Sequence, residues 1–425
     1  MRRFSRAVIT LALLPMALLY QSCAKEDVVY RKTPIPSLER EITDVRVLVV
    51  ENAGEIEISS EYVIAGGVGA GSNLGGYGGS GILKARGSGG QVCLEDKGKQ
   101  VLRSHRVMLK PRGGGYIEIN GTGYRGRILL TAEGGSGISA VNYIGIDDYL
   151  RGVLPSEIGY LKGRCTAAYR AQALASRSYA LSKLHETRRR YFDLRATIMD
   201  QVYRGVSGEY PPATRAVNDT RGKVITWKGR PARTYYSSCC GGHTADIRSN
   251  WPWKKPFHFL RGVRDSGAGK TSSFCRGSRH FRWRVRWSGD RLAEILRRTL
   301  PDLCEDDVKP FQRILDIRQG EHSRDGRIKS LTFITDSGSY MVRGDRIRWV
   351  LRPESASGPI LKSTLLKLEI VKKNGAVREL NVLGGGNGHG VGLCQSGAIE
   401  MSREGYSAEE IVKHYYPGVN INRYY

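Results

Sequence analysis

Acidic residues, cysteine, proline and long hydrophobic runs are all scarce in this chain of 425 residues. Its 8 cysteines are too few for a scaffold built from disulfides. Beyond the N-terminus no apolar stretch reaches the ~20 residues that a membrane-spanning helix needs. Glycines (53) far outnumber prolines (15). They follow no three-residue period, which excludes collagen, and they point to tight turns and β-structure, because glycine takes positive φ at no steric cost. A hydrophobic fraction of 40%, spread along the whole length, excludes wholesale disorder. The length itself suggests two to three domain-sized cores. The shortage of acid, 41 Asp+Glu against 67 Lys+Arg, leaves a net charge of +26. A field of that sign attracts polyanions of every kind, whether nucleic acid, anionic membrane or acidic wall polymer.

Nucleotide and nucleic-acid signatures are missing too. Gly267–Thr271 reads GAGKT, but Arg264 stands where a phosphate-binding loop needs its first glycine. The GGVGAGS stretch near Gly67 has Ser72 in place of the third glycine of a dinucleotide fingerprint, in β-rich surroundings. No zinc-finger or helix-turn-helix pattern is present, so nucleic acid is not an expected partner.

What is present begins with an export signal. Arg2, Arg3 and Arg6 precede an apolar run from Ala7 to Tyr20, and Ser22-Cys23 follows at once. That pattern is a signal peptide; a small residue before Cys23 at the end of such a run resembles a bacterial lipoprotein signal. Residues 1–23 are therefore expected to be the signal, with Cys23 lipidated as a membrane anchor, and 24–44 a tether. The protein is expected in the cell envelope, facing the periplasm or the outer surface.

From Val45 onward DVRVLVV and EIEISSEYVI alternate at period two, as do RVMLKP, GYIEING, GRILLTAE and SAVNYIGI, giving a β-rich part over 45–146. The texture then changes to a helical segment, 147–190. Asp147 and Asp148 are placed to cap a short helix, DDYLRGVL, that Pro155 brings to an end. In AAYRAQALASRSYALSKLH the residues Ala167, Ala171, Ala175 and Tyr179 recur every four positions, a small-residue stripe suited to close helix packing. A mixed part, 191–383, carries the strands GKVITW, ARTYYSS, SLTFITD and LLKLEIV and the helix-like DRLAEILRRTL. The C-terminal segment, 384–425, runs from GGGNGHGVGLCQSGAIEMSREG into a second helix announced by the capping box of Ser407 and Glu410 and stopped before Pro417. The fold class expected is α+β, rich in β-structure, with a few packed helices.

Four motifs then stand in order. They are Asn142 with Tyr149-Leu150, Gly152-Val153, Pro155 and Glu157; Ala171-Gln172-Ala173 with Ala175, Arg177 and Tyr179-Ala180; Ser237 with Gly241-Gly242 and Thr244; and Gly388 to Gly392 with Gln395 and Gly397-Ala398. In sequence and spacing they resemble the SpoIID/LytB family of bacterial cell-wall proteins over residues 45–425. The resemblance implies lytic transglycosylase activity on peptidoglycan glycan strands, with preference for peptide-stripped glycan and no required cofactor. It places the catalytic carboxyl at Glu157. One such group can serve as acid and then as base when the substrate's own 6-hydroxyl is the nucleophile, whereas an ordinary glycosidase needs two carboxyls. Expected glycan contacts are Arg177, Tyr179, Ser237, Thr244, His389 and Gln395, with Arg177 meeting a muramyl lactyl carboxylate. The other role described in the family is a non-catalytic wall-binding modifier that stimulates a cell-wall amidase. Cys240, His243 and Cys275 offer three zinc ligands, with His280 as a fourth, and a Cys240–Cys275 disulfide suits an exported protein equally; structural zinc, disulfide and free thiols all stay open.

Overall fold

The computed structural model describes residues 44–68 and 76–425, apart from 134, 164, 185, 188–189 and 354–359. The signal, Cys23 and nearly all of the tether lie outside the described residues. The protein is α+β and rich in strands.

Period-two patterning builds the first sheet. Its strands are β1 (Asp44–Ala53), β2 (Glu55–Gly67), β3 (Gly76–Ser88), β4 (Gln91–Asp96), β5 (Lys99–Ser104), β6 (Arg106–Pro111), β7 (Ile117–Ile119), β8 (Thr122–Tyr124), β9 (Arg127–Glu133), β10 (Gly137–Gly145) and β11 (Leu194–Arg195). The order is β11-β1-β10-β9-β6-β2-β3-β4-β5, with β7 on β2 and β8 on β7. Alternate residues face opposite ways along a strand. Hence Val45, Val47, Val107, Leu109, Ile128, Leu130, Ala140 and Ile144 enter a large core on one face. Leu48, Met108, Leu129, Val141 and Tyr143 enter a small one with Phe192 on the other. Burial on both faces explains why DVRVLVV is almost continuously apolar.

The glycine-rich stretch, which carries little apolar periodicity, still forms β3. Leu83 and Ala85 are buried in the same core, and pairing with β2 on one side and β4 on the other supplies the remainder. Here tertiary pairing overrides a poor local propensity.

Helix α1 (Ile146–Ile158) follows β10 directly, and α2 (Thr166–Leu184) and α3 (Pro211–Asp219) pack with it. After α2 the chain returns along β1. Asp193 pairs with buried Arg46 at 2.8 Å, and β11 runs parallel to β1. That anchoring sets residues 201–205 down on α1.

A second apolar core lies at Trp283–Val382. Amphipathic α4 (Gly289–Leu303), capped by Ser288, buries Leu292, Leu296 and Leu300 against strands such as Ser330–Thr335 and Ala376–Gly384. At the C-terminus α5 (Gln395–Arg403) and α6 (Ala408–Tyr415) pack on α2. The expected capping box is formed: Ser407 Oγ accepts from the Glu410 amide and Glu410 accepts from that of Ser407. Ala171 and Ala175 of the small-residue stripe are buried with Leu393, Ala398 and Val412. No helix among the described residues is long and apolar enough to cross a membrane.

Candidate active site

Glu157 sits in the last turn of α1. Pro155 does not stop that helix, which continues to Ile158. A proline so near the C-terminus removes a single ladder bond, and the turn is closed instead at Gly159, whose amide donates to Pro155 O at 3.0 Å. Nor do Asp147 and Asp148 cap the N-terminus. The cap position is Gly145, with no side-chain bond, and Asp147 is taken by an ion pair described below.

One turn before Glu157, Gly152 admits another stretch of backbone. A Cβ there would meet Gly205 O at 2.6 Å and the Tyr203 ring at 2.7 Å. This close approach brings the Val202 amide to Glu157 Oε1, at 2.6 Å. Among the described residues Oε2 has no hydrogen-bond partner. Burial raises the carboxyl to about 7, against a smaller opposing effect of the Val202 bond. A carboxylic acid so placed is half protonated near neutrality and can both give and take a proton.

Around it stands a wall of buried phenols. Tyr149 OH donates to Gln201 Oε1 at 3.1 Å, and Gln201 Nε2 bonds Tyr236 OH at 2.8 Å. Tyr203 packs on Tyr149 with ring centroids 4.9 Å apart and donates to Asn142 at 2.9 Å. Burial drives Tyr149 and Tyr236 up, and a Glu157 negative charge adds to both, so the site is lined by neutral phenols.

His389 lies beside Tyr235, the neighbour of Tyr236 in sequence. Tyr236–Ser237 runs parallel to Leu393–Cys394, and Gly392 is required there because a Cβ would run into Tyr235 O. The His389 ring is 4.9 Å from Trp251 and 6.0 Å from Tyr235. Its Nδ1 accepts from the Val391 amide at 3.0 Å, which leaves the proton on Nε2. Burial lowers its pKa to about 3, so the ring is neutral. Lys254 Nζ lies 4.4 Å from the Trp251 ring and donates to Tyr235 OH at 2.7 Å. Consecutive Tyr235 and Tyr236 thus join the His389 side to the Glu157 side.

The other expected glycan contacts are framework. Arg177 is wholly enclosed: it donates to Asp147 at 2.7 Å and to the carbonyls of Val217 and Lys223. Its expected meeting with a substrate carboxylate is corrected by that burial, since a guanidinium inside the core needs its partner there. Tyr179 OH donates to Asp200 at 2.9 Å. Ser237 Oγ accepts from the Gly390 amide at 3.1 Å. Thr244 Oγ1 accepts from Val263 at 2.7 Å. Gln395 reaches Gln172 at 3.4 Å. All five are buried and bind the motifs to one another. Residues 201–203, Tyr236, Trp251 and Lys254 escaped the sequence reading; the only signal available was the doubled Tyr of ARTYYSS.

The cysteine expectations are also revised. Cys240 and Cys275 are free thiols with sulfurs 3.7 Å apart, not a disulfide. His243 turns its Nδ1 to Thr244 O at 2.7 Å, and His280 Nε2 pairs with Arg279; neither joins the thiols. The groups that do are Cys394 and Asp265.

Comparison with known proteins finds similarity in the same part of the chain. The SpoIID family model (Stage II sporulation protein) matches residues 134–227, the stretch that holds α1, α2 and Val202. A second model, a Domain of unknown function (DUF8618), matches residues 268–392. An uncharacterized protein of Brachyspira hyodysenteriae is 29% identical over 307 residues, 72% of this chain and 74% of that protein. The Amidase enhancer of Bacillus subtilis is 27% identical over 296 residues, 65% of this chain but 40% of its own length. Stage II sporulation protein D of Bacillus amyloliquefaciens is 26% identical over 299 residues, 67% of this chain and 76% of that protein. The chain is therefore similar to the SpoIID/LytB-like proteins, with the family model matched over the stretch that carries Glu157.

Proposed function

We propose that the protein is a peptidoglycan lytic transglycosylase acting at the cell envelope, with Glu157 as its acid and base. The observation that carries this reading is one buried carboxyl raised to about 7, with one oxygen fixed by Val202 and the other unengaged among the described residues. Protonated Glu157 gives its proton to the oxygen linking N-acetylmuramic acid to N-acetylglucosamine as that bond to C1 breaks. The carboxylate so formed takes the proton of the muramyl 6-hydroxyl as its oxygen closes on C1. The product is a 1,6-anhydro sugar, no water is consumed, and the enzyme is returned protonated. Neutral His389 offers Nε2–H to the sugar, Tyr235 and Trp251 offer ring faces, and Lys254 takes the place first assigned to Arg177 as the cation for a lactyl carboxylate. Export on the signal of residues 1–23, with a lipid on Cys23, would hold the protein to the membrane beside its polymer.

A second reading has one observation in its favour: a relative is named Amidase enhancer. In it the same surface holds glycan without cutting and a cell-wall amidase is the partner. Incubating the full chain with peptide-stripped glycan separates the two by mass spectrometry. The transglycosylase yields anhydromuramyl ends, and Glu157→Gln lowers their rate by about 10²- to 10⁴-fold, the usual weight of a proton-transfer group. No anhydro product from the wild type, with amidase stimulation retained in both proteins, establishes the binder.

A further inference from the structure

Behind Tyr236, and sharing no residue with the Glu157 site, four ligating groups converge from distant parts of the chain. The sulfurs of Cys240, Cys275 and Cys394 and a carboxylate oxygen of Asp265 all lie within 4.8 Å of one another, and all four residues are almost wholly removed from solvent. Spacing decides what such a group suits. A disulfide holds its sulfurs ~2.05 Å apart, whereas two thiolates on a tetrahedral zinc at ~2.3 Å lie ~3.8 Å apart. Cys240 and Cys275 stand at 3.7 Å.

The surroundings are those of sulfur carrying negative charge. The Cys240 amide donates to Cys394 Sγ at 3.2 Å, and the Gly397 amide, in the first turn of α5, donates to the same sulfur at 3.4 Å. The Gly242 amide donates to Cys240 Sγ at 3.4 Å. Asp265 is fixed from behind by Tyr415 OH at 2.6 Å and the Cys275 amide at 2.9 Å, the outer-shell support that ligating carboxylates require. Cys239 lies alongside, within hydrogen-bonding reach of Cys275 and Cys394.

We propose that Cys240, Asp265, Cys275 and Cys394 form a tetrahedral site for a thiophilic divalent cation, zinc by its donor set. The ion binds as the three thiols release their protons. It fastens the loop after Tyr236 to the 265–277 turn and to the start of α5, and so braces the wall between Glu157 and His389 without entering the reaction. The full chain, purified under reducing conditions and titrated with cobalt(II), is expected to take up one ion per chain, displaced by zinc, with thiolate-to-cobalt charge-transfer bands and the intense visible bands of a tetrahedral centre. Cys394→Ser and Asp265→Asn should each weaken uptake at least tenfold, while Cys304→Ser should not change it. The wild-type spectrum needs no variant to fold. Reduced, folded wild type that binds neither ion stoichiometrically overturns the proposal, as does a Cys240–Cys275 disulfide mapped in chain isolated without reductant. Loss of binding in Cys239→Ser with binding retained in Asp265→Asn overturns this ligand set.

Discussion

Two interiors of this protein are made of different material. The one at residues 283–382 is aliphatic and aromatic, filled by one face of α4 and the inward residues of its strands. The one between α1, α2 and the C-terminal segment also buries Arg177, Gln172, Ser176, Asn142, Gln201 and Thr234, and encloses most of Glu157. Apolar packing is non-directional and tolerates rearrangement. A buried polar network is stable only with every partner in place. Glu157 sits in the second kind of interior, where exclusion of water lifts its carboxyl to about 7 against the opposing Val202 amide.

That contrast can be broken at its strongest point first. Arg177→Met leaves Asp147 without its buried partner and should cost about 3–5 kcal/mol, read as a lower midpoint in urea. Leu296→Ala in the apolar interior, where Leu296 is fully buried, should cost about 2–5 kcal/mol while leaving turnover per folded molecule unchanged. Equal loss of turnover in both variants would dissolve the distinction. The smallest effect has the opposite sign. Glu157 is raised from 4.5 to about 7 on folding. The stability it contributes is therefore complete below pH 4.5 and is lost as pH rises through 7. Glu157→Gln, which cannot ionise, should match wild type at pH ~4 and gain up to about 3 kcal/mol at pH ~8, seen as a higher melting temperature only at the alkaline end. Under the proposed mechanism the same titration predicts that cutting by the wild type declines above pH ~7.

The apolar interior was the more legible one. SLTFITD, LLKLEIV and DRLAEILRRTL announce their strands and helix by period alone, and so do β1, β6, β9 and β10. The Ser407–Glu410 cap is legible because its partners are three residues apart. The polar interior is written in pairs that no local pattern links: Asp147 with Arg177, Glu157 with Val202, Gln172 with Gln395, Asp265 with Tyr415. Motif resemblance picked out segments that the structure brings together, yet it could not separate exposed residues from those that bind the segments to one another. Arg177, Tyr179, Ser237, Thr244 and Gln395, all expected to meet glycan, are buried framework and were misread for that reason. Pro155 misled in the other direction, since a helix breaker matters little where the helix is already ending.

The parallel pairing of Tyr236–Ser237 with Leu393–Cys394 has a consequence in time. A chain still emerging from the ribosome, or ending before residue 385, already possesses Glu157 but lacks the partner against which Tyr236 is set. Contacts that distant in sequence close slowly. The surroundings of Glu157 are therefore completed among the last events of maturation, and a half-made copy carries that carboxyl without part of the wall that encloses it.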